Sequence, residues 1–315
     1  MAKGTREIRR KIKSIKNTRQ ITKAMELVAA SKMRRAVGST VALRPYARLA
    51  RALLANLGDK QPSSSSASEN SLTHSLLNKR EVKKALVIVM SSDRGLCGGL
   101  NTQLLRSVME YLKAEKKKQQ VPEVSFVAIG KKAQDFLRRT GQKVVAAYPA
   151  MSNHPTLRDT FPISRMIMED YANGQYDKVM LIYTDFISAI VQKPTVRRLL
   201  PLSRQALEEM VEGIETKSHR ADASDDRAQF TEFLFEPSPQ KVLEVLLPRL
   251  TEMQVYQAVL EAAASEHSAR MFAMRNATDN AEEFLGDLTM AYNQVRQASI
   301  TAELAEISAG RAALG

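Results

Sequence analysis

A seven-residue repeat in the last third of the chain constrains its fold more than any other feature. The repeat alternates spacings of four and three residues, which is the pattern of a helical seam that packs against another helix. A continuous helix of about 65 residues would be about 100 Å long, too long to bury its seam against a compact core. The repeat therefore predicts a long partner helix. Its positions are Leu246, Leu250, Met253, Gln257, Leu260, Ala264, His267, Met271, Met274 and Thr278, followed less regularly by Leu285, Leu288, Tyr292 and Val295.

The N-terminal segment supplies that partner. From Lys3 to about Asn56, apolar residues return at helical spacing and helix-forming residues fill the gaps. We therefore predict an antiparallel coiled coil between an N-terminal helix within residues 1–57 and a C-terminal helix within residues 240–315. Pro248 predicts a kink or a helix start near Arg249, because proline disrupts a helix interior.

The positive charge of the chain is concentrated in the N-terminal helix. The net charge is +13, and residues 1–51 hold 15 Lys and Arg against only Glu7 and Glu26. Such a helix suits nucleic acid, an anionic membrane surface or an acidic protein sleeve. It also resembles a mitochondrial targeting peptide, although the helical pattern runs on much further than a presequence does.

The middle of the chain predicts an α/β domain. Residues 85–90 form a continuous apolar run, as in a strand that is buried on both faces of a parallel sheet. Further strands and helices then alternate through residue 183, which favours a layered α/β (Rossmann-like) domain over residues 79–239. We expect Ile187–Val191 and Thr195–Leu200 to be antiparallel additions and Phe233–Glu236 to be a last short strand. The Ser-rich segment 58–78 is expected to be a flexible loop, because it carries too little apolar surface to order itself.

A glycine-rich turn at Ser91–Asn101 is the most tempting chemical motif. Its position between a buried strand and a helix is where many α/β proteins bind phosphate. Its spacing, however, matches neither a dinucleotide fingerprint, nor a P-loop, nor a nucleophile elbow. The pattern does not place His74 or His154 so as to activate Cys97 as a nucleophile. We therefore interpret the turn as structural, with no catalytic residue, no cofactor and no metal site.

Cysteine content and hydropathy exclude some classes of protein. The chain has one cysteine, which permits no internal disulfide and no cysteine metal cluster. Nowhere are there 18 consecutive apolar residues, so no transmembrane helix is predicted. Any membrane association is therefore expected to be peripheral.

Five segments of the chain resemble the gamma subunit of the F-type ATP synthase. They follow one another in the family's order and reach both ends and the centre, so the resemblance covers nearly the whole chain. The segments are Ile21–Arg34, Ser92–Gly98, Ala264–Met271, Ala273–Asn280 and Arg296–Thr301.

The resemblance implies a rotor that carries no catalytic residue. In that family the two terminal helices form an antiparallel coiled coil inside a hexamer of alternating alpha and beta subunits. The α/β domain lies beside the epsilon subunit and the membrane-embedded ring of c subunits, whose rotation the shaft transmits to the catalytic sites. With no evident transit peptide, the expected location is the cytoplasmic face of a bacterial plasma membrane, to which the protein would be peripheral.

The resemblance also implies contact residues. Met25, Arg296, Gln297, Thr301 and Glu303 are expected to face the hexamer. For Met25 the pattern alone favours a different interpretation, a position in the seam of the coiled coil.

Glu236 matches a family position near the c ring. A lone carboxylate on a loop is otherwise more often simply solvated, so the position rests on the resemblance.

Two other functions remain open from the residues alone. The basic N-terminal helix could bind nucleic acid, although the chain lacks the aromatic or glycine-rich modules expected of such proteins. The turn at Gly95–Gly99 could bind a nucleotide. The resemblance favours neither, because it implies a rotor that binds no nucleic acid.

Overall fold

The structure is a computed structural model that describes residues 2–43, 74–78, 80–117, 123–149, 151, 153–202, 236 and 238–314. The chain forms two compact units, one of residues 1–30 with 270–315 and one of residues 31–269. The helices are α1 Ala2–Ala42, α2 Leu100–Lys116, α3 Lys131–Arg139, α4 Leu157–Ala172 and α5 Pro239–Leu314, and the strands are β1 Lys84–Met90, β2 Glu123–Ile129, β3 Val144–Tyr148, β4 Lys178–Phe186 and β5 Gln192–Leu200.

The larger unit is built on a five-stranded sheet in the order β3-β2-β1-β4-β5. Strands β1 to β4 pair in parallel, and β5 pairs antiparallel with β4. The central strands β1 and β4 are mostly apolar because helices cover both faces, as expected for a parallel sheet. Helices α2 and α3 pack on one face, and α4 and the first part of α5 pack on the other. The predicted α/β domain is therefore confirmed.

The smaller unit is an antiparallel helix pair. Along α1 the residues that contact α5 rise from Arg9 to Thr22, while their partners fall from Tyr292 to Thr278. The least exposed positions of α5 keep the alternating spacing of a coiled coil, so the predicted seam is confirmed in this unit. These positions are Met274, Thr278, Ala281, Leu285, Leu288, Tyr292, Val295, Ser299 and Ala302.

One buried contact of the coiled coil joins two polar side chains. Thr22 and Thr278 are both buried, and their hydroxyl oxygens lie 2.8 Å apart. Each hydroxyl also lies within hydrogen-bonding distance of a carbonyl oxygen of its own helix. Thr22 is close to the carbonyl of Arg19, and Thr278 is close to the carbonyl of Met274. Each threonine has only one hydroxyl proton to donate. The bond between the helices therefore forms when one hydroxyl stops donating to the carbonyl of its own helix and donates to the other threonine instead. A polar pair in an otherwise mostly apolar seam favours a single register.

Of the two alternatives predicted at Pro248, a kink or a helix start near Arg249, the helix start is wrong. The helix begins at Pro239, not near Arg249, and it continues through Pro248. Its first turn is capped by Ser238, whose hydroxyl accepts a hydrogen bond from the Lys241 amide at 3.3 Å. Proline at the first helical position needs no amide hydrogen, so Pro239 suits this start.

The expected strand at Ile187–Val191 is wrong. These residues form the turn between β4 and β5, and the antiparallel strand is Gln192–Leu200. In the turn, the amides of Ile187 and Ser188 both donate to the Val191 carbonyl. This pattern reverses the chain, so the β-branched residues there are exposed instead of pairing.

Other sequence-based expectations lie outside the described residues. They concern the end of the N-terminal helix at 44–57, the loop predicted at 58–78 up to residue 73, and the short strand at 233–235. The expectation of a flexible loop is wrong for residues 74–78, where Ser75–Leu77 form a short 3-10 helix and Leu76 is buried in the main core cluster. The domain boundaries predicted at 57, 78 and 239 remain predictions. Within the described residues, none of the helices combines the length and apolar character needed to cross a membrane.

Candidate functional site

Four of the predicted contact residues lie close together on the last turns of α5. Arg296, Gln297, Thr301 and Glu303 are all exposed. The Thr301 hydroxyl donates a hydrogen bond to the Gln297 carbonyl at 3.0 Å, which links two of them along the helix. The structure therefore presents these side chains at one end of the coiled coil, available to a partner.

An apolar stripe that sequence reasoning missed surrounds Gln297. Met290, Ile300, Leu304 and Ile307 are 60%, 49%, 60% and 69% exposed. Together with Gln297 they follow helical spacing, on the side of α5 that faces away from the seam. We call Met290, Gln297, Ile300, Leu304 and Ile307 the outer stripe. Contiguous exposed apolar residues of this kind mark an interaction surface.

Met25 lies beside the seam of the coiled coil rather than at a seam position. The alternating spacing on α1 passes through Thr22, Glu26 and Ala29, while Met25 is half-buried. Met25 shares a helical face with Ile21 and Val28, which are 60% and 54% exposed. This face gives α1 an apolar surface of its own next to the seam.

Glu26 is a seam position that sequence reasoning did not single out. Its side chain is 14% exposed and pairs with the Lys23 ammonium at 3.0 Å. A carboxylate at a seam position is unusual in a coiled coil. The spacing of Glu26 from Thr22 and Ala29 is the sequence pattern that could have identified it as a seam position.

The exposed face of α1 is strongly basic. Arg6, Arg9, Arg10, Lys11, Lys13 and Lys16 are all exposed, although Arg9 also donates to the Tyr292 hydroxyl at 2.8 Å. Glu7 lies among them and pairs with Lys11 at 3.0 Å. The resulting positive field favours an acidic partner surface.

Glu236 is exposed and lies shortly before α5 begins. Phe235 and Pro237 on either side of it are outside the described residues. The structure therefore shows a solvent-accessible carboxylate there.

The glycine-rich turn has the geometry of a structural element. The Asn101 amide donates to the Ser92 hydroxyl at 2.7 Å and to the Cys97 sulfur at 3.2 Å. Cys97 is buried, as expected for a packing residue. His74 accepts a hydrogen bond from the Leu76 amide, and His154 contacts Arg35 on α1. The contacts of these histidines thus lie away from the turn.

The turn also depends on a close approach of two backbone segments. Gly130, directly after β2, has φ +91°, and a Cβ there would lie 2.1 Å from the Ser91 carbonyl oxygen. Only glycine fits such a position. Across the described residues, no group of three or more His, Cys, Asp or Glu could hold a metal ion.

Comparison with known proteins matches the chain to one family along its whole length. The model of a protein family described as ATP synthase matches residues 4–314. The chain is 44% identical to the ATP synthase gamma chain of Roseiflexus sp. (strain RS-1) over 99% of its own length and 98% of that relative. It is 40% identical to the ATP synthase gamma chain of Heliobacterium modesticaldum, covering 99% of both chains.

Solved structures show the same fold. The chain resembles a component of the Euglena gracilis mitochondrial ATP synthase, solved as OSCP/F1/c-ring, with a TM-score of 0.63. That match is 20% identical and covers 100% of this chain and 95% of the other. A chain of the rotor of the same complex matches with a TM-score of 0.59 at 20% identity, covering 95% of this chain and 100% of the other.

Proposed function

The chain belongs to the ATP synthase gamma chain family, and on that premise we propose that it is the central-stalk rotor of an F-type ATP synthase. In this role it transmits ion-driven rotation of a c ring to a hexamer of alpha and beta subunits. The chemistry of ATP belongs to the hexamer, and this chain contributes no catalytic residue and binds no cofactor.

The observation that carries this proposal is the outward-facing apolar surface of the coiled coil. Among its described side chains, the buried ones are Thr22, Ala29, Met274 and Thr278. Eight large apolar side chains of the same unit are instead exposed: Ile21, Leu27, Val28, Phe284, Met290, Ile300, Leu304 and Ile307. A helix pair that buries little internally and exposes apolar side chains outward is suited to enclosure by a partner.

Charge supports the same arrangement. The exposed bases of α1 would meet an acidic inner surface of the hexamer, where complementary charges set orientation more than affinity. A shaft must also move, so its charged contacts must differ between orientations. A partner that bound every orientation equally well would shift no conformational equilibrium.

Each predicted contact residue has a physical role in this proposal. Arg296 on the exposed end of α5 can form a bidentate contact with a carboxylate of the hexamer. Gln297 and Thr301 can add directional hydrogen bonds, and Glu303 can pair with a base. Met25 adds an apolar contact from α1, next to Ile21 and Val28.

The sheet-containing domain is proposed to form the foot of the rotor. It would lie beside the epsilon subunit and on the c ring, with Glu236 facing the ring. The proposed location is the cytoplasmic face of a bacterial plasma membrane, to which the chain attaches peripherally through its partners. Its segments would be the coiled-coil helices at 1–57 and 240–315, the loop at 58–78 and the domain at 79–239.

Reconstitution tests the proposed function. Mixing the chain with alpha and beta subunits is expected to give a complex with one copy of this chain per three alpha–beta pairs, measured by native mass spectrometry. Deleting residues 1–25 together with 296–315 is expected to lower the rate of ATP hydrolysis and to abolish its coupling to the rotor, because the deletion removes the end of the coiled coil at which both chain termini lie.

Two outcomes would count against the proposal. One is failure of the full chain to assemble. The other is a rate of ATP hydrolysis that the double deletion leaves unchanged. As a control, the isolated chain is expected to bind no nucleotide tightly, since the turn at Gly95–Gly99 lacks phosphate-binding spacing.

A further inference from the structure

Four polar residues form a row on the first part of α5. Gln257, Glu261, Ser265 and Ser268 are spaced by four, four and three residues, so they lie on one face of the helix. None of the four is more than 3% exposed. We call this set the polar row. It lies entirely within the unit that contains the sheet.

The first half of the polar row is linked to β4 through the side chain of Tyr183. The hydroxyl of Tyr183 donates to one carboxylate oxygen of Glu261 at 2.9 Å. The side-chain amide of Gln257 donates to the other oxygen at 3.0 Å. Because Tyr183 is 1% exposed, this contact is shielded from competing water.

The second half bonds to the backbone of β4 and of the turn after it. The Ser265 hydroxyl donates to the Thr184 carbonyl at 3.0 Å, and the Ser268 hydroxyl donates to the Ala189 carbonyl. Gln192, at the start of β5, also donates from its side chain to Ala189, at 2.7 Å. The polar row thus connects α5, from Glu261 to Ser268, to the end of β4 and to the turn that follows it.

Another part of the contact between α5 and the sheet is apolar. It is made by Leu243, Leu247, Leu250, Val255, Ala258 and Val259, which belong to the main core cluster. Apolar contact is non-directional and depends on the area removed from water. It therefore resists separation of the helix from the sheet more than it resists a turn of the helix about its own axis.

Hydrogen bonds resist such a turn because they are directional. A rotation of about 20° would move an atom about 5 Å from the helix axis by nearly 2 Å. A displacement of that size would break a bond of 3.0 Å, since hydrogen bonds weaken steeply beyond about 3.2 Å and at poor angles.

Stability alone does not explain the polar row. Burial, reinforced by the charge of Glu261, raises the pKa of Tyr183 well above its usual value. Burying such groups is costly, and replacing a buried hydrogen-bonded set by apolar residues of similar shape is often neutral or stabilising. The polar row supplies directionality, which an apolar replacement would lack.

We propose that the polar row is the torsional anchor of the shaft, preventing α5 from turning about its axis against the sheet when the sheet-containing domain is driven round. Because α5 continues from this unit into the coiled coil, a rotation applied at the sheet reaches the other end only if α5 does not slip. The inference rests on the proposed rotor function and adds the residues that carry its torque.

The test measures the torsional stiffness of the rotor in the assembled complex. The hexamer is immobilised, and a probe is attached to the sheet-containing domain through Lys113→Cys, an exposed position on α2, in a Cys97→Ser background. The readout is the thermal angular variance of the probe while the rotor pauses. The variants are the double change Ser265→Ala with Ser268→Ala and the single change Tyr183→Phe.

Thr251→Val is the matched control. Thr251 is also fully buried on α5, but its hydroxyl donates to the Leu247 carbonyl of the same helix at 3.0 Å. Its loss removes a buried hydrogen bond without removing a link to the sheet. The torsional flexibility of the coiled coil is the same in every variant. A difference in angular variance between variants therefore reports the contribution of the polar row alone.

The double serine variant is expected to widen the angular variance at least about twofold, because two directional bonds are lost, one to β4 and one to the turn after it. Tyr183→Phe is expected to widen it as well, and Thr251→Val is expected to leave it unchanged. The inference is overturned if the serine variant and Tyr183→Phe both match the control. Failure of the unsubstituted chain to rotate would instead contradict the rotor function, so the two failures can be told apart.

Discussion

Gly130→Ala is expected to destabilise the sheet-containing unit by at least about 3 kcal/mol, or to prevent it from folding. The added Cβ would lie 2.1 Å from the Ser91 carbonyl oxygen and 2.9 Å from its hydroxyl oxygen. Ser91 cannot move aside, since its amide donates to the Ile129 carbonyl at 2.8 Å and its hydroxyl accepts from the Ala133 amide at 2.7 Å. The φ of +91° adds strain for any residue with a side chain.

Two other glycines provide controls for this prediction. Gly141 also has a positive φ, +67°, but nothing lies within 4 Å of its Cβ position, so Gly141→Ala is expected to cost about 1 kcal/mol. Gly38 lies within α1 with open space around it, and Gly38→Ala is expected to stabilise by about 0.5–1 kcal/mol.

Urea unfolding followed by circular dichroism measures all three changes in the free energy of unfolding. If Gly130→Ala costs no more than Gly141→Ala, the close approach of β2 to the turn after β1 is not as described.

The double variant Leu304→Asp with Ile307→Asp is expected to reduce coupled ATP synthesis of the assembled complex at least about tenfold. Both side chains belong to the outer stripe and are exposed in the chain alone, 60% and 69%. In the proposed arrangement they are enclosed by the hexamer, where an unpaired carboxylate is costly to bury. A loss of about 1.4 kcal/mol of favourable contact already corresponds to a factor of ten.

The stability of the isolated chain separates this effect from misfolding. Substitution of exposed residues usually changes the free energy of unfolding by less than about 0.5 kcal/mol. Ala305→Asp is the matched control, since Ala305 is exposed at the same level of α5 but lies off the outer stripe. It is expected to reduce synthesis much less than the double variant does. Equal losses in both would mean that the outer stripe has no special role.

The coiled coil was predictable from the sequence because its signal is long and periodic. A four-three repeat sustained over many turns has few competing explanations, and the least exposed positions from Met274 to Val295 follow it closely. The parallel sheet was predictable for a similar reason, since strands buried on both faces are continuously apolar.

Local hydrogen bonds explain the features that the sequence pattern left open or predicted wrongly. Ile187–Val191 has the composition of a strand, but two backbone hydrogen bonds to Val191 make it a turn. Pro248 suggested a kink or a helix start near Arg249, yet α5 is already capped at Ser238 and continues through Pro248. Buried contacts of Leu247 and Leu250 offset the hydrogen bond that Pro248 cannot make.

Part of the candidate contact surface was predictable from the residue pattern, and part was named only by the family resemblance. Arg296, Gln297, Thr301 and Glu303 were named by resemblance, and no property of their spacing distinguishes them from a solvated helix face. The outer stripe carried a usable signal, the helical spacing of its apolar residues away from the seam. The polar row was hidden because its partners on β4 are far away in sequence.

Direct observation of rotation tests the rotor function most directly. The hexamer is immobilised, the chain carries a probe at Lys113→Cys, and ATP is supplied. The rotor function predicts unidirectional rotation of the probe that stops, together with ATP hydrolysis, when the end of α5 is cross-linked to the hexamer. A probe that stays still while the assembled complex hydrolyses ATP would contradict it.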